Sequence, residues 1–217
     1  MATQLFAGRQ RVLDLGAGEG QLARRLVADS SAARAPAPTV VGIDPTWSQI
    51  SVATERGGGP LYGLGDAASL PFADGSFDAA VACLVFEHID DIETPIRELH
   101  RVLEPGGRFA LFLNHPMLQT PGSGWIDDHM VDPPEQYWRL GPYLVESAQV
   151  EEVHKDVFIR FVHRPLSRYI NALATCGLEI REMYEPSPPE GFLKKSSHYR
   201  AAAAIPRLMV IVCERSL

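Results

Sequence analysis

Apolar residues fall along this chain in two alternating rhythms. Short runs of consecutive aliphatics give way to stretches with apolar positions three and four apart. Arg11 to Leu15, Thr39 to Ile43, Leu61 to Gly65, Ala79 to Phe86 and Arg108 to Leu113 read as buried strands. Between them, Gln21 to Val27 and Thr46 to Thr54 read as helices. Asp90 to Leu103 is a third, with Ile92, Ile96, Leu99, Val102 and Leu103 on one face, stopped by Glu104-Pro105-Gly106-Gly107. Ser30 to Pro38 and Arg56 to Pro60 read as loop and turn. Such alternation implies right-handed crossovers and a parallel sheet with helices on both faces.

The rhythm breaks after Leu113. Met117 to Tyr143 is rich in Pro, Gly, Trp and Tyr, too apolar for a linker, and reads as a cover over a site. Val145 to His154 and Val157 to His163 read as a ribbon turning at Lys155-Asp156. A helix from Pro165 to Cys176, ended by Gly177, leads to strands Leu178 to Glu185 and Leu208 to Arg215, separated by a turn region from Pro186 to Gly191.

The chemistry concentrates at Val12-Leu13-Asp14-Leu15-Gly16-Ala17-Gly18-Glu19-Gly20. A strand turns there into a helix through a D-x-G-x-G-x-G loop, where glycines let a ligand lie against the backbone and amides at a helix start face its anionic end. The dinucleotide fingerprint G-x-G-x-x-G would need its third glycine where Gln21 stands, which argues against a nicotinamide or flavin site. Asp44, at the end of the second strand and followed by Pro45, is placed to accept from ribose hydroxyls, or to cap the next helix, or both. Asp66 and the Ala67 amide together offer an acceptor and a donor to an adenine edge, and a capping aspartate in a loop is the plainer alternative. Glu87 and His88 lie just past the fourth strand and Asn114-His115-Pro116 just past the fifth, where open α/β sheets bind ligands. His88 serves equally well as a structural histidine.

Composition narrows the class. At 217 residues with 46% hydrophobic, the chain suits a single domain, 1–217, with the cover at 114–163 inside it. The net charge of −7, with three lysines, leaves no basic stripe for nucleic acid. The longest apolar run is far below the ~20 residues of a membrane span. Cys83, Cys176 and Cys213 read as free thiols without C-x-x-C metal spacing, and a cytoplasmic location with no metal follows as an expectation.

Taken together, these residues resemble the class I S-adenosylmethionine (SAM)-dependent methyltransferases, most closely the small-molecule branch with quinone-biosynthesis enzymes. The resemblance runs from about Val12 to Leu113, through the glycine loop, Asp44, Asp66-Ala67, Leu70 to Asp78, and Arg101 to Gly107. It implies a doubly wound, Rossmann-like, seven-stranded, mostly parallel sheet with a final antiparallel strand. It also implies SAM as cofactor and S-adenosylhomocysteine as product. Gly16 and Gly18 would then line the methionine portion, Asp44 would hold the ribose and Asp66 and Ala67 the adenine, the Cys83-Leu84 backbone would approach the ammonium, and Asp14, Ala17 and Pro45 would complete the cofactor-binding set. Phe86 and His88 would lie near the methyl group.

Where an acceptor must lose a proton, His115 is the first candidate base and His88 the second, with His129 and His163 behind them. Trp125, Tyr137, Trp138 and Tyr143 suggest an apolar or aromatic small acceptor, or else simply pack the insert. Base-directed amino methyltransferases carry an Asn/Asp-Pro-Pro-aromatic motif after the fourth strand. Here that place holds Leu84-Val85-Phe86-Glu87, and Asp132-Pro133-Pro134-Glu135 lies elsewhere. The N-terminal helices usual in the family are missing or truncated. A non-catalytic SAM-binding regulatory or partner domain is the alternative, and a homodimer is compatible with either reading.

Overall fold

A computed structural model describes residues 2–32, 36–195 and 201–217. A short helix, α1 (Ala2–Leu5), precedes β1 (Arg11–Leu15), α2 (Gln21–Ala32), β2 (Thr39–Asp44), α3 (Trp47–Arg56) and β3 (Leu61–Leu64). Then come β4 (Phe77–Cys83), a 3-10 turn at Phe86–His88, α4 (Glu93–Val102) and β5 (Leu103–Asn114). The second half holds α5 (Pro116–Gln119), β6 (Gly124–Asp128), β7 (Glu135–Arg139), β8 (Ser147–His154), β9 (Val157–His163), α6 (Leu166–Thr175), β10 (Leu178–Tyr184), α7 (Glu190–Leu193) and β11 (Leu208–Arg215).

Seven strands form one sheet in the order β10-β11-β5-β4-β1-β2-β3. β1 to β5 are mutually parallel, and β11 runs antiparallel to both β5 and β10. This is the parallel sheet that the alternation implies, with the antiparallel final strand that the resemblance adds. β4 sits centrally and is buried along its length, so its Ala-Ala-Val-Ala run needs no polar face. Alternate residues divide the core into two layers. Leu13 and Leu15 pack with Ile96, Leu99 and Leu173 of α4 and α6. Val12, Val81 and Phe112 pack with Leu5, Ala23 and Leu26 of α1 and α2. Truncating Leu13, fully buried between β2 and β4, should cost about 2–5 kcal/mol through lost transfer energy and a cavity.

Polar anchors fix the strand ends. Asp78 accepts the Gln10 amide at 2.7 Å and the Arg11 amide at 2.9 Å, setting the register of β1 against β4. Arg101 donates to the Phe72 carbonyl at 2.7 Å and the Leu70 carbonyl at 3.0 Å, while Glu98 takes the Leu70 amide at 2.7 Å. The Leu70-Pro71-Phe72 loop is therefore fastened to α4, and this steadies the chain that leaves β3 through Asp66.

Several boundaries differ from the sequence reading. α2 continues to Ala32, because the Ser30 hydroxyl bonds back to the Leu26 carbonyl at 3.0 Å instead of leaving the helix. Residues 33–35 of the expected loop lie outside the described residues. β4 ends at Cys83 rather than Phe86, since Leu84 turns with φ 58. β5 starts at Leu103 and takes in Glu104 to Gly107, expected only as a helix stop. Within Met117 to Tyr143 the chain forms a hairpin, β6 paired with β7, with Trp125 opposite Trp138 and Ile126 opposite Tyr137. β8 and β9 make a separate ribbon, as the turn at Lys155-Asp156 suggests. Buried Arg164, just past β9, donates to the carbonyls of Phe86 at 3.1 Å and Asp90 at 2.7 Å, tying the ribbon to the loop after β4.

Candidate active site

Gly16 and Gly18 shape the loop at the end of β1. Both have positive φ, 69 and 52, which a side chain strains. A Cβ on Gly16 would come within 2.4 Å of Val85 Cγ2, so this position admits only glycine beside the loop after β4. A Cβ on Gly18 would meet nothing closer than Gln49 Oε1 at 3.7 Å, so its backbone stands open to an approaching molecule. The Ala17 amide donates to the Ile43 carbonyl at 2.9 Å, and the Gly18 amide to Asp44 Oδ2 at 3.0 Å. Asp44 Oδ1 takes the Thr46 amide at 2.9 Å. Thr46, not Asp44, is the N-cap of α3, so Asp44 closes a turn ahead of the helix and braces the glycine loop.

Two cavities meet at this loop. One, of about 980 Å³, is walled by Asp14, Gly16, Ala17, Gly18, Cys83 and Leu84 together with the start of α2. The other, of about 300 Å³, lies among Gly16, Asp44, Pro45, Asp66, Ala67 and Leu84, with His88 on its wall. Gly16 and Leu84 belong to both, so a single elongated molecule could pass from one to the other. Every residue that the sequence suggests for a nucleoside cofactor lines one cavity or the other.

The electrostatics of the larger cavity are unusual. Asp14 is 2% exposed and its Oδ2 has no hydrogen-bond partner. Burial pushes its carboxyl up to about 7, the Ala23 backbone opposes the shift, and the charge of Asp44 adds to it. The Cys83 thiol is pushed up to about 11 by burial and by the charges of Asp14 and Glu87, so it stays protonated and is no nucleophile. Glu87 is raised as well, by burial first, with partial relief from His88 and from Asn114, whose Nδ2 donates to Oε1 at 2.7 Å. In the smaller cavity Asp66 Oδ1 takes the Ala68 amide at 2.9 Å.

The two candidate histidines differ sharply. His115 is 7% exposed, its Nδ1 accepts the Met117 amide at 3.1 Å as the N-cap of α5, and its Nε2 lies 2.8 Å from Glu185 Oε1. Both nitrogens are thus engaged, and His115 lines neither cavity. His88 Nδ1 lies 2.8 Å from the Arg160 carbonyl. A carbonyl only accepts, so Nδ1 carries a proton, and a ring with its single proton there has its lone pair at Nε2. The Phe161 ring packs edge-on at 4.8 Å and limits rotation of the imidazole.

The expected acceptor residues are not gathered at the loop. Phe86 is fully buried, 6.4 Å from the Phe109 ring, because the turn at Leu84 carries it into the core; it has no surface to offer a substrate. Trp125 and Trp138 pack edge-on at 5.5 Å within their own hairpin, and Tyr137 is 48% exposed. The Tyr143 hydroxyl accepts the Leu166 amide at 2.9 Å, and its carbonyl takes His163 Nε2 at 2.8 Å. None of these residues lines either cavity. Sequence reasoning passed over Val85 and Gln49, whose importance lies in contacts with the glycine loop that no local pattern encodes.

Comparison with known proteins agrees with this geometry. Residues 13–111 match the family described as methyltransferase domain. A demethylmenaquinone methyltransferase of Thermus thermophilus is 39% identical over 106 residues, 47% of this chain and 46% of that protein. A 2-phytyl-1,4-naphtoquinone methyltransferase of Synechococcus elongatus is 39% identical over 131 residues, 56% of this chain and 54% of that protein. The chain thus spans about half the length of the curated relatives it matches. The crystal structure of a SAM-dependent methyltransferase from Mesorhizobium loti superposes with a TM-score of 0.78 at 25% identity, covering 96% of this chain and 91% of that one. No helix among the described residues is long and apolar enough to cross a membrane. The glycine loop, the order of the sheet and these matches identify residues 13–111 as the core of a class I SAM-dependent methyltransferase domain.

Proposed function

We propose that the chain transfers a methyl group from SAM to a small-molecule acceptor. One observation carries this reading. Asp14, which keeps an unpartnered carboxylate oxygen, lines the larger cavity, Asp44 lines the smaller, and Gly16 lines both. A dinucleotide would bring phosphates to this loop and meet the negative charge of Asp14. SAM brings an ammonium at one end and a ribose diol at the other, which match the two acids.

In this reading Asp14 and the Cys83-Leu84 carbonyls receive the ammonium, with Gly16, Ala17 and Gly18 against the methionine chain. Asp44 accepts from the ribose hydroxyls, Pro45 packs beside them, and Asp66 with the Ala67 amide meets the adenine edge. SAM supplies a methyl group on a sulfonium, an electrophile needing no metal. The acceptor's lone pair forms the new bond to carbon as the carbon–sulfur pair returns to sulfur, giving S-adenosylhomocysteine. The protein's share is alignment and exclusion of water, and orientation can contribute about 7–11 kcal/mol. The segment 114–163 acts within a single domain as the cover, since Arg160 and Arg164 tie its end to the loop after β4. The quinone substrates named for the relatives support an aromatic acceptor.

Calorimetric titration with SAM, S-adenosylhomocysteine and NAD tests the reading. Micromolar binding of the first two without NAD is expected. NAD binding, or silence towards all three, would refute it.

A further inference from the structure

The face of the sheet that carries Asp14 and Cys83 also carries Phe112, Val210 and Leu208. On that face a cavity of about 340 Å³ is walled by Phe112, Pro186, Pro188, Phe192, Arg207 and Leu208. It shares no lining residue with the larger cavity, and the pairing of β4 with β5 sets the two side by side. Phe112 stands opposite Cys83 in the β4–β5 register, and its carbonyl takes the Leu84 amide at 2.9 Å. The wall at Phe112 is therefore one strand spacing, about 5 Å, from the residues that line the larger cavity.

The lining has a definite chemistry. Prolines and aromatic rings offer flat apolar surface, and proline has no amide to donate. Such walls receive a planar ring and lose little freedom in doing so. The polar exception is Arg207. Its guanidinium carbon sits 5.2 Å from the centroid of the Phe192 ring, and among the described residues it forms no ion pair. Its backbone carbonyl accepts the His115 amide at 2.9 Å, which fixes the start of β11 against the end of β5. In a chain of net charge −7, a guanidinium stacked on a ring beside an apolar cavity, with no ion pair among the described residues, is a localised anion receptor, and its planar fork suits a carboxylate or a sulfonate.

We propose that this cavity is the acceptor site and that it selects a planar aromatic molecule bearing an anionic oxygen group. The ring lies on Phe112 and between the prolines, and Arg207 pairs with the anion. The volume suits one or two fused rings, at the small end of ligand sites. The assignment rests on the methyltransferase reading and moves the acceptor-lining role from Trp125, Tyr137, Trp138 and Tyr143 to Phe112 and Phe192.

Two fluorescent probes test it, 1-anilinonaphthalene-8-sulfonate and its uncharged parent N-phenyl-1-naphthylamine, which differ only in the sulfonate. Titrated into the full chain, the sulfonate should bind at least about tenfold more tightly than the parent, and S-adenosylhomocysteine should not displace it. Arg207→Gln should abolish the preference and leave the parent's affinity within about twofold, whereas Phe192→Ala should weaken both. Calorimetry with S-adenosylhomocysteine on the same samples reads the cofactor cavity, and wild type and Arg207→Gln should bind it alike. Equal sulfonate affinity in wild type and Arg207→Gln, or displacement by S-adenosylhomocysteine, would overturn the acceptor site while leaving the cofactor assignment intact. Failure of S-adenosylhomocysteine to bind the wild type would overturn both.

Discussion

Asp14 gives the account its most exacting consequence, because its ionisation must be linked to cofactor binding. In the free protein its carboxyl titrates near 7, against 3.8 ordinarily. Between about pH 4 and pH 7 the folded chain holds a proton that the unfolded chain has released, so stability falls as pH rises through that window and is flat above it. At about 1.4 kcal/mol per unit, the loss is roughly 4 kcal/mol. An ammonium seated against Asp14 needs the carboxylate, so binding expels the proton. At pH 6 a group titrating near 7 is about nine-tenths protonated, so SAM binding should release about 0.9 proton and be roughly tenfold weaker than above pH 8. Asp14→Asn removes the linkage. Its SAM affinity should be flat from pH 6 to 8, and at pH 8 should fall about 10–100-fold below wild type for want of the charge-assisted bond. Titration calorimetry at pH 6 in two buffers of different ionisation enthalpy counts the protons directly. Proton release near zero, or an Asn variant that matches wild type at pH 8, would refute the placement of the ammonium.

Three further substitutions probe the site. Asp44→Ala strips acceptors from the Gly18 and Thr46 amides as well as from the ribose, so SAM affinity should drop about 10–100-fold in calorimetry. His115→Ala should instead cost about 0.5–2 kcal/mol of stability in denaturant unfolding, from loss of the α5 cap, with kcat largely kept. Gly16→Ala, driven into Val85 and held at positive φ, should lose about 1–3 kcal/mol in the same assay and bind SAM poorly.

The sheet and the cofactor loop were legible because their signals are local. Buried parallel strands write themselves as unbroken aliphatic runs, and the spacing of Gly16 and Gly18 after Asp14 encodes a turn that few other sequences make. Asp44 and Asp66 could be placed because each follows a strand end, which topology brings to one edge. The histidines could not be ranked in the same way. His115 and His88 both follow strands, and only tertiary contacts with Glu185 and with the Arg160 carbonyl, 70 or so residues away, distinguish a capping ring from one with an open lone pair. For a similar reason the sequence leaves open whether Trp125 and Trp138 line a pocket or pack the insert, and in the structure they pack against each other. Charged residues break the alternation of the two runs, and irregular composition masked their hairpin. Arg207 drew no notice because an arginine beside a final strand is unremarkable until its place over the Phe192 ring, with no acid partner among the described residues, is visible.

The most direct test of the central claim is a crystal structure of the chain with S-adenosylhomocysteine. The account predicts one molecule across both cavities, with its amino group within about 3 Å of Asp14 Oδ2 and its ribose hydroxyls at a similar distance from Asp44. A ligand bound away from Gly16, or one with its ribose turned from Asp44, would contradict it.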